Sequence, residues 1–463
     1  MKRIALAVGL FLALLAYVAM GLAGWPFAPS FTGAVTVLCA VWWMTEAIPI
    51  PVTAFIPLSV LPLSGILQVS DVAGAFGNPI SFLLLGGFLL SMALSRSGAH
   101  LRLAVGIIRL IRPETDRQLV LAFMAASAVI SMWISNAATV LMLMPIALAI
   151  LDKREAGSGE AFPALAVPLL LGLCYAANIG GMGTPIGTPP NLIFIEMYKQ
   201  ATGEEVGFLR WMAWGVPAVF CLLPVAAWVM MRDLEKGVAP RIEAGGAWRP
   251  AERRALMLFA TVALLWITRK DPFGGWSAWL GLSNANDGYV ALLGAVFAFI
   301  IPDEKGEPLL EWRAARDLPW GVIVLVAGGL ALSTALTSTG LTNALAAALG
   351  GLSTLPIVFL VFAICLAVSF ITELTSNSAS TALLLPILAG ASAAAKVDPV
   401  LMMLPAALSA SCAFMMPMAT APNAIIFSSE RVPIAAMIKR GVTLNILCAI
   451  VLTGLLWVFF EKI

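Results

Sequence analysis

Ser135-Asn136-Ala137-Ala138-Thr139, with Pro145 ten positions after the serine, recurs 241 residues later as Ser376-Asn377-Ser378-Ala379-Ser380, with Pro386 ten positions beyond its serine. Each copy is a short polar interruption in an otherwise apolar run. A polar motif carried once in each half of a hydrophobic chain points to two structural repeats meeting at one central site, an arrangement found in secondary transporters.

The surrounding composition leaves one solvent for such a chain. Of its 463 residues 61% are hydrophobic and 11% charged, with a mean hydropathy of +0.97. No soluble globule buries so much apolar surface, so the expected environment is the lipid bilayer. A net charge of +2 provides no clustered basic face for nucleic acid. Six cysteines (Cys39, Cys174, Cys221, Cys365, Cys412 and Cys448) lie singly in apolar stretches and read as small buried hydrophobes. His100 reads as interfacial. Paired intramembrane aspartates, a Ser–His pair and a metal-ligand cluster are all missing from the pattern, so nothing argues for an enzyme or a cofactor. A passive channel has no need of two half-sites.

Working outward from the motifs, the apolar run at 4–24 is too long for the ~7–15-residue core of a cleaved signal. It is expected to be a transmembrane helix within an N-terminal segment 1–30. The first repeat, 31–231, is expected to hold helices at 31–48, after Pro51, at 79–95 and at 211–231. Five arginines between Arg96 and Arg117 surround an interfacial amphipathic stretch, 101–111. The apolar arms flanking the first motif, 119–134 and 140–151, are each near or below the ~17 residues a crossing needs, so a re-entrant hairpin is expected over 119–151.

After a polar loop at 152–160, the segment from Phe162 runs into Gly180-Gly181-Met182-Gly183-Thr184-Pro185-Ile186-Gly187-Thr188-Pro189-Pro190-Asn191. So much Gly and Pro breaks a helix, and at membrane depth a break has to line a cavity or be buried in protein. A linker, 232–254, leads to a second repeat, 255–463. This half is expected to hold helices at 255–267, 289–301 and 320–336, a short apolar segment at 341–349 and a second hairpin at 355–395. A broken segment at 401–426 and a last helix at 442–460 complete it. The fold class is therefore an all-α polytopic membrane protein of about 11 transmembrane helices plus two re-entrant hairpins.

Charge placement orients this map. With the N-terminus inside and both hairpins returning to their side of entry, 21 of the 27 Lys and Arg residues fall on the cytoplasmic side, as the positive-inside rule requires. Lys199, Arg210, Arg269, Lys270, Lys396 and Lys462 fall outside. In this topology the first hairpin enters from the cytoplasm, the second from outside, and the repeats are inverted, a symmetry that permits alternating access.

Asn and Ser supply neutral oxygens, and a hairpin tip adds backbone carbonyls; such ligands suit a hard monovalent cation. Helix N-termini just after each break suit an anion. The 241-residue offset pairs Ser131 with Thr372, Ser135 with Ser376 and Asn136 with Asn377. Two Na⁺ sites are expected, one from Ser131, Ser135, Asn136 and Gly183, the other from Thr372, Thr375, Asn377 and Ala419, with a small dianion between them. No Arg or Lys lies in either motif, so sodium has to offset the cost of desolvating the anion. Glu46 and Glu373 have no assigned role.

Trp42 to Pro51, Gly86-Gly87, Ser131 to Asn136, Thr184 to Asn191 and Ser411 to Asn423 resemble the divalent anion/sodium symporter family, which includes dicarboxylate, citrate and sulfate transporters, over essentially the whole chain. The resemblance implies a homodimer in a membrane, here the bacterial inner membrane, with scaffold and transport parts moving as an elevator. It also implies substrate-binding roles for Asn136, Ala137, Thr184, Asn377, Ser378, Thr420 and Ala421, with sodium as the coupling ion and the only metal. Ala137 and Ser378 stand where the family usually has Thr, and Ala421 where proline is common. A C4 dicarboxylate such as succinate is the expected cargo; the alternatives are sulfate or another dianion, and a sodium-independent exchanger of the same fold.

Overall fold

In the computed structural model, residues 2–158, 164–234, 237–239, 246–270, 273–342, 344 and 356–460 are described. Every regular element among them is a helix. In chain order these are α1 (Lys2–Leu22), α2 (Phe27–Thr45), α3 (Ile50–Leu63), α4 (Val69–Phe76), α5 (Pro79–Ser97), α6 (Ala99–Ile111), α7 (Asp116–Ser131), α8 (Asn136–Ser158), α9 (Ala166–Gly180), α10 (Pro189–Thr202) and α11 (Phe208–Met231). The chain continues with α12 (Pro250–Ile267), α13 (Gly275–Trp279), α14 (Asp287–Ile300), α15 (Trp320–Ser338), α16 (Ile357–Ile371), α17 (Asn377–Ala395), α18 (Val400–Ser409), α19 (Ala421–Phe427) and α20 (Ile434–Phe460). Nine stretches among the described residues are long and apolar enough to cross a membrane, one of them α4 with α5; two others, in α8 and α17, are hairpin arms that were expected to be re-entrant and were not among the expected 11, and shorter apolar helices such as α3, α14, α16 and α18 supplement the nine. The apolar segment expected at 341–349 lies outside the described residues from 345 onward, as do 240–245 of the linker and 461–463 at the C-terminus.

The halves interlock rather than sitting side by side. Helix α5 packs on α14 and α15 packs on α3. Both contacts are made through glycine: a Cβ on Gly86 would lie 2.5 Å from the Ala291 carbonyl carbon, and one on Gly328 would lie 2.6 Å from the Ala54 oxygen. Small residues let these backbones touch, the usual means by which helices associate in lipid. Gly86→Ala or Gly328→Ala is therefore expected to force each pair apart and destabilise the protein by about 1–3 kcal/mol. A fall in the melting temperature of the detergent-solubilised protein would show it; an unchanged melt would mean the backbones are not in contact.

The same exchange recurs deeper in the molecule. Helix α8 packs on α19, and α10 on α17, so the second arm of each hairpin lies against the post-break helix of the other half. Helices α9 and α18, which enter the breaks, are buried nearly all round, in keeping with apolar sequence on every face.

The second arm of the first hairpin is longer than expected. Helix α8 starts at Asn136 itself and runs 23 residues, through the charged 152–155 stretch expected to be loop. It starts early because Ser135 Oγ accepts from the Ala138 N–H at 3.3 Å, a side-chain N-cap. It ends late because Asp152 and Glu155 both bind Arg431. Arg154 also bonds Asp116 at the start of α7, which ties together the far ends of the two arms. His100, expected at the interface, is buried with a ring nitrogen 3.2 Å from the Leu94 oxygen.

Ion pairs sort into two sets. Arg96–Asp317, Arg102–Glu252, Arg154–Asp116, Arg249–Glu304, Arg431–Asp152 and Arg440–Asp233 form one. Arg210–Glu204, Arg269–Glu205, Arg269–Asp287 and Lys270–Glu205 form the other. The grouping follows the side the sequence assigned to each loop, and among the described residues no ion pair joins a loop of one group to a loop of the other.

Candidate functional site

The hairpin tips and helix breaks converge on one cavity of about 400 Å³. Ser135, Asn136 and Ala137 line it from the first tip, and Ser376, Asn377 and Ser378 from the second. The breaks contribute Ile186, Gly187, Thr188 and Pro189 on one side, Met418, Ala419, Thr420, Ala421 and Pro422 on the other. Phe88, Glu46, Ile50, Asn178, Pro319 and Val322 complete the wall. Glu46 is the one ionisable residue among them, and no cationic side chain is present.

The first turns of α8, α10 and α17, together with that of the short α19, begin at this wall. Their leading N–H groups have no partner within the helix, and the helix dipoles give each end partial positive charge. An anion is thus favoured without a basic residue.

Behind the tips the two halves repeat one hydrogen bond. Ser131 Oγ donates to Asn136 Oδ1 at 2.6 Å, and Thr372 Oγ1 to Asn377 Oδ1 at 2.5 Å. Gly181 lies against the Asn136 amide, and Gly183 against Met132, the residue after Ser131. Ser131, Asn136 and the 181–183 backbone are therefore neighbours, an all-oxygen set of hydroxyl, amide and backbone carbonyl that fits a hard cation. In the second half Thr372 also donates to the Ala410 oxygen at 3.1 Å, placing Thr372, Asn377 and the start of the break together. The neutral donor set again suits Na⁺.

Not every expected residue reaches the cavity. Thr184 is fully buried, its hydroxyl donating to the Met132 carbonyl, and Gly183 lies beside it behind the wall. Counted back from the post-break helices, Gly187-Thr188 holds the place in the first half that Ala419-Thr420 holds in the second, and Thr188 lines the cavity instead. Thr375 is buried, sharing a bond with Ser380 and donating to the Ile371 oxygen at 3.1 Å; its neighbour Ser376 faces the cavity.

Three residues that hold the site together carried no assignment from the sequence. Asn178, buried in α9, accepts from Asn136 Nδ2 at 3.5 Å and donates to Thr420 Oγ1 and Asn423 Oδ1, both at 3.3 Å. One amide thereby couples the first tip to the second break. Its sequence signal was an amide two residues before a Gly-rich break in an otherwise apolar helix. Asn191 Nδ2 donates to the Gly181 and Thr184 oxygens at 2.8 and 2.7 Å; Asn423 Nδ2 donates to Ala413 and Met416 at 3.1 and 3.0 Å. These amides supply the donors that irregular backbone needs at membrane depth. Trp211 Nε1 on Met182 and the Tyr175 hydroxyl on Phe414, at 2.9 and 2.6 Å, add two more.

Comparison with known proteins follows the same lines. Residues 40–407 match the family model described as CitMHS, citrate transporter. The sodium-dependent dicarboxylate transporter SdcS of Staphylococcus saprophyticus is 38% identical over 442 residues, 91% of this chain and 84% of the relative. SdcS of Staphylococcus aureus is 38% identical over 447 residues, 92% of this chain and 85% of the relative. At 14% identity the Alcanivorax borkumensis YdaH transporter superposes with a TM-score of 0.59, covering 92% of this chain and 98% of that one. Neisseria gonorrhoeae MtrF, also at 14%, has a TM-score of 0.56, covering 87% and 84%. At that identity the last two speak for the fold alone.

Proposed function

We propose a function from the premise that this chain belongs to the divalent anion/sodium symporter family, matched by the citrate transporter model over most of its length: it carries a small dianion, best a C4 dicarboxylate such as succinate, together with Na⁺. The observation that carries the reading is a single cavity bounded by both Ser-Asn tips and four helix starts, with no cationic side chain on its wall. A dianion there has helix dipoles, amides and hydroxyls for partners, and the remaining charge has to come from bound cations. This favours sodium coupling over sodium-independent exchange. The relatives' name, sodium-dependent dicarboxylate transporter, agrees with it.

The transport cycle we envisage is alternating access between inverted repeats in a homodimer, the block of hairpins and broken helices moving as an elevator against the rest. The matched packing of helices from one half on helices of the other supports it. Pro319 lies two residues beyond Asp317, which pairs with Arg96 in a loop assigned to the cytoplasm, and Pro51, beside Ile50 on the wall, touches Gly321. With the N-terminus in the cytoplasm of a bacterial cell, the cavity then faces inward.

Uptake of labelled succinate into proteoliposomes tests the function. Accumulation is expected with an inward Na⁺ gradient and not with K⁺; equal uptake in both would leave an exchanger. The cavity also predicts a gain of function. Ala137 is on the wall at a helix N-terminus, so Ala137→Thr adds a hydroxyl where a carboxylate would lie. A fall in the succinate KM of about three- to ten-fold is expected, the size of one ordinary net hydrogen bond of about 0.5–1.5 kcal/mol. An unchanged KM would place the carboxylates elsewhere on the wall.

A further inference from the structure

Glu373 is 2% exposed, sits beside Thr372, is not on the cavity wall, and forms no ion pair among the described residues. Its Oε1 accepts from the N–H groups of Phe414 and Met415 at 2.6 and 2.9 Å and from Asn445 Nδ2 at 2.8 Å; its Oε2 accepts from the Met416 N–H at 3.0 Å. Four N–H donors aimed at one carboxylate make a cradle for an anion. The same position in the first half, 241 residues earlier, is Met132, a neutral residue. There the tip is fastened to its break by Thr184 bonding the Met132 carbonyl. The two halves thus differ in charge at matched places, although the Ser131–Asn136 and Thr372–Asn377 bonds are alike.

We propose that Glu373 makes the two sodium sites unequal: its carboxylate, beside Thr372 and cradled on the second break, renders the Thr372–Asn377 site the tighter of the two and the first to fill. This rests on the sodium-coupled reading above. A buried carboxylate with no side-chain cation paired to it among the described residues attracts Na⁺ through a medium that screens poorly, and the first site has Met132 at the matched position. Glu373 acts as a positioning residue as well, because the cradle fastens the second tip to the 414–416 backbone. The electrostatic effect and the fastening predict different orders among variants.

The test is Na⁺ binding to purified full-length protein without substrate, followed as thermal stabilisation by NaCl against KCl and as equilibrium binding of radioactive sodium. Wild type is expected to titrate in two phases. The tighter phase should survive Asn136→Ala and vanish in Asn377→Ala. Glu373→Gln should weaken it at least about ten-fold, the factor a unit charge already contributes at about 12 Å with an effective dielectric near 20, while leaving the weaker phase in place. Glu373→Asp keeps the charge and should stay closer to wild type than Gln; Asp and Gln equally weakened would indicate fastening alone and overturn the proposal.

A tighter phase lost in Asn136→Ala, or one indistinguishable phase lost equally in both Asn variants, would also overturn it. So would a Gln variant with wild-type Na⁺ affinity. Should Glu373→Gln fail to purify as a monodisperse species, the two Asn variants and Glu373→Asp still decide. Wild type that NaCl stabilises no better than KCl would instead sink the sodium-coupled reading itself.

Discussion

Asn423→Ala is expected to lower the stability of the purified protein by about 3 kcal/mol or more, making it the most damaging single amide deletion in the chain. The side chain is completely buried. Its Nδ2 serves two carbonyls of the second break, Ala413 and Met416, and its Oδ1 receives Asn178 Nδ2 at 3.3 Å and Cys174 Sγ at 3.0 Å. Alanine strands the Ala413 carbonyl and the Cys174 thiol where water has no ready access, at about 1–3 kcal/mol each, and takes one bond each from the Met416 carbonyl, which keeps the Ala419 N–H, and from Asn178, which keeps Thr420. The breakage spreads to the site because Asn178 also holds Thr420 and Asn136. Thermal melts in detergent, with Asn191→Ala as the first-half counterpart, measure it. A loss below about 1 kcal/mol would mean that other donors replace the amide.

Asn377→Ala is expected to reduce Na⁺-driven uptake at least about 100-fold, about 2.7 kcal/mol or more, with a much smaller effect on folding. Asn377 is half-buried on the cavity wall, so deleting it leaves a space open to water. Its Oδ1 takes the Thr372 hydroxyl at 2.5 Å, and its backbone opens α17. Alanine removes an oxygen from the proposed second sodium site and an amide from the cavity in one step, so binding of cation and anion should fail together. Initial uptake rates, paired with melts that show the variant folded, are the measurement. Retention of more than a tenth of wild-type activity would remove Asn377 from the site.

Much of the architecture was legible before any coordinates. The two Ser-Asn motifs, the Gly- and Pro-rich breaks and the basic loops stand out because each is a local signal. Hydropathy, helix-breaking residues and charge need no knowledge of what packs where. Helix ends were less legible. Ser135 caps α8 and Arg431 binds its last turns, so α8 runs past both boundaries that hydropathy marks; one of those contacts comes from 276 residues away along the chain.

Register within the breaks was not legible. Thr184 and Thr188 both stand in a Gly-Thr-Pro pattern, and only the fold shows that the first bonds Met132 while the second reaches the cavity. Irregular backbone has no period from which to read direction. Asn178 and Glu373 were invisible as partners for a related reason, since every group they bond except Asn445 lies on a tip, on a break or on the helix that follows one.

The sequence by itself determined that the bilayer is this protein's solvent, that its chain is written in two halves, and that each half carries a polar tip and a helix break. Those properties follow from composition and from residues adjacent along the chain. Only the tertiary structure decided that the tips and breaks of both halves close around one cavity without a cationic side chain, and which hydroxyls face it. That outcome depends on helices of one half packing against the other through Gly86 and Gly328, and on amides such as Asn178 bridging them. Contacts at that separation are selected by packing and by the need to satisfy buried polar backbone, and neither leaves a local trace.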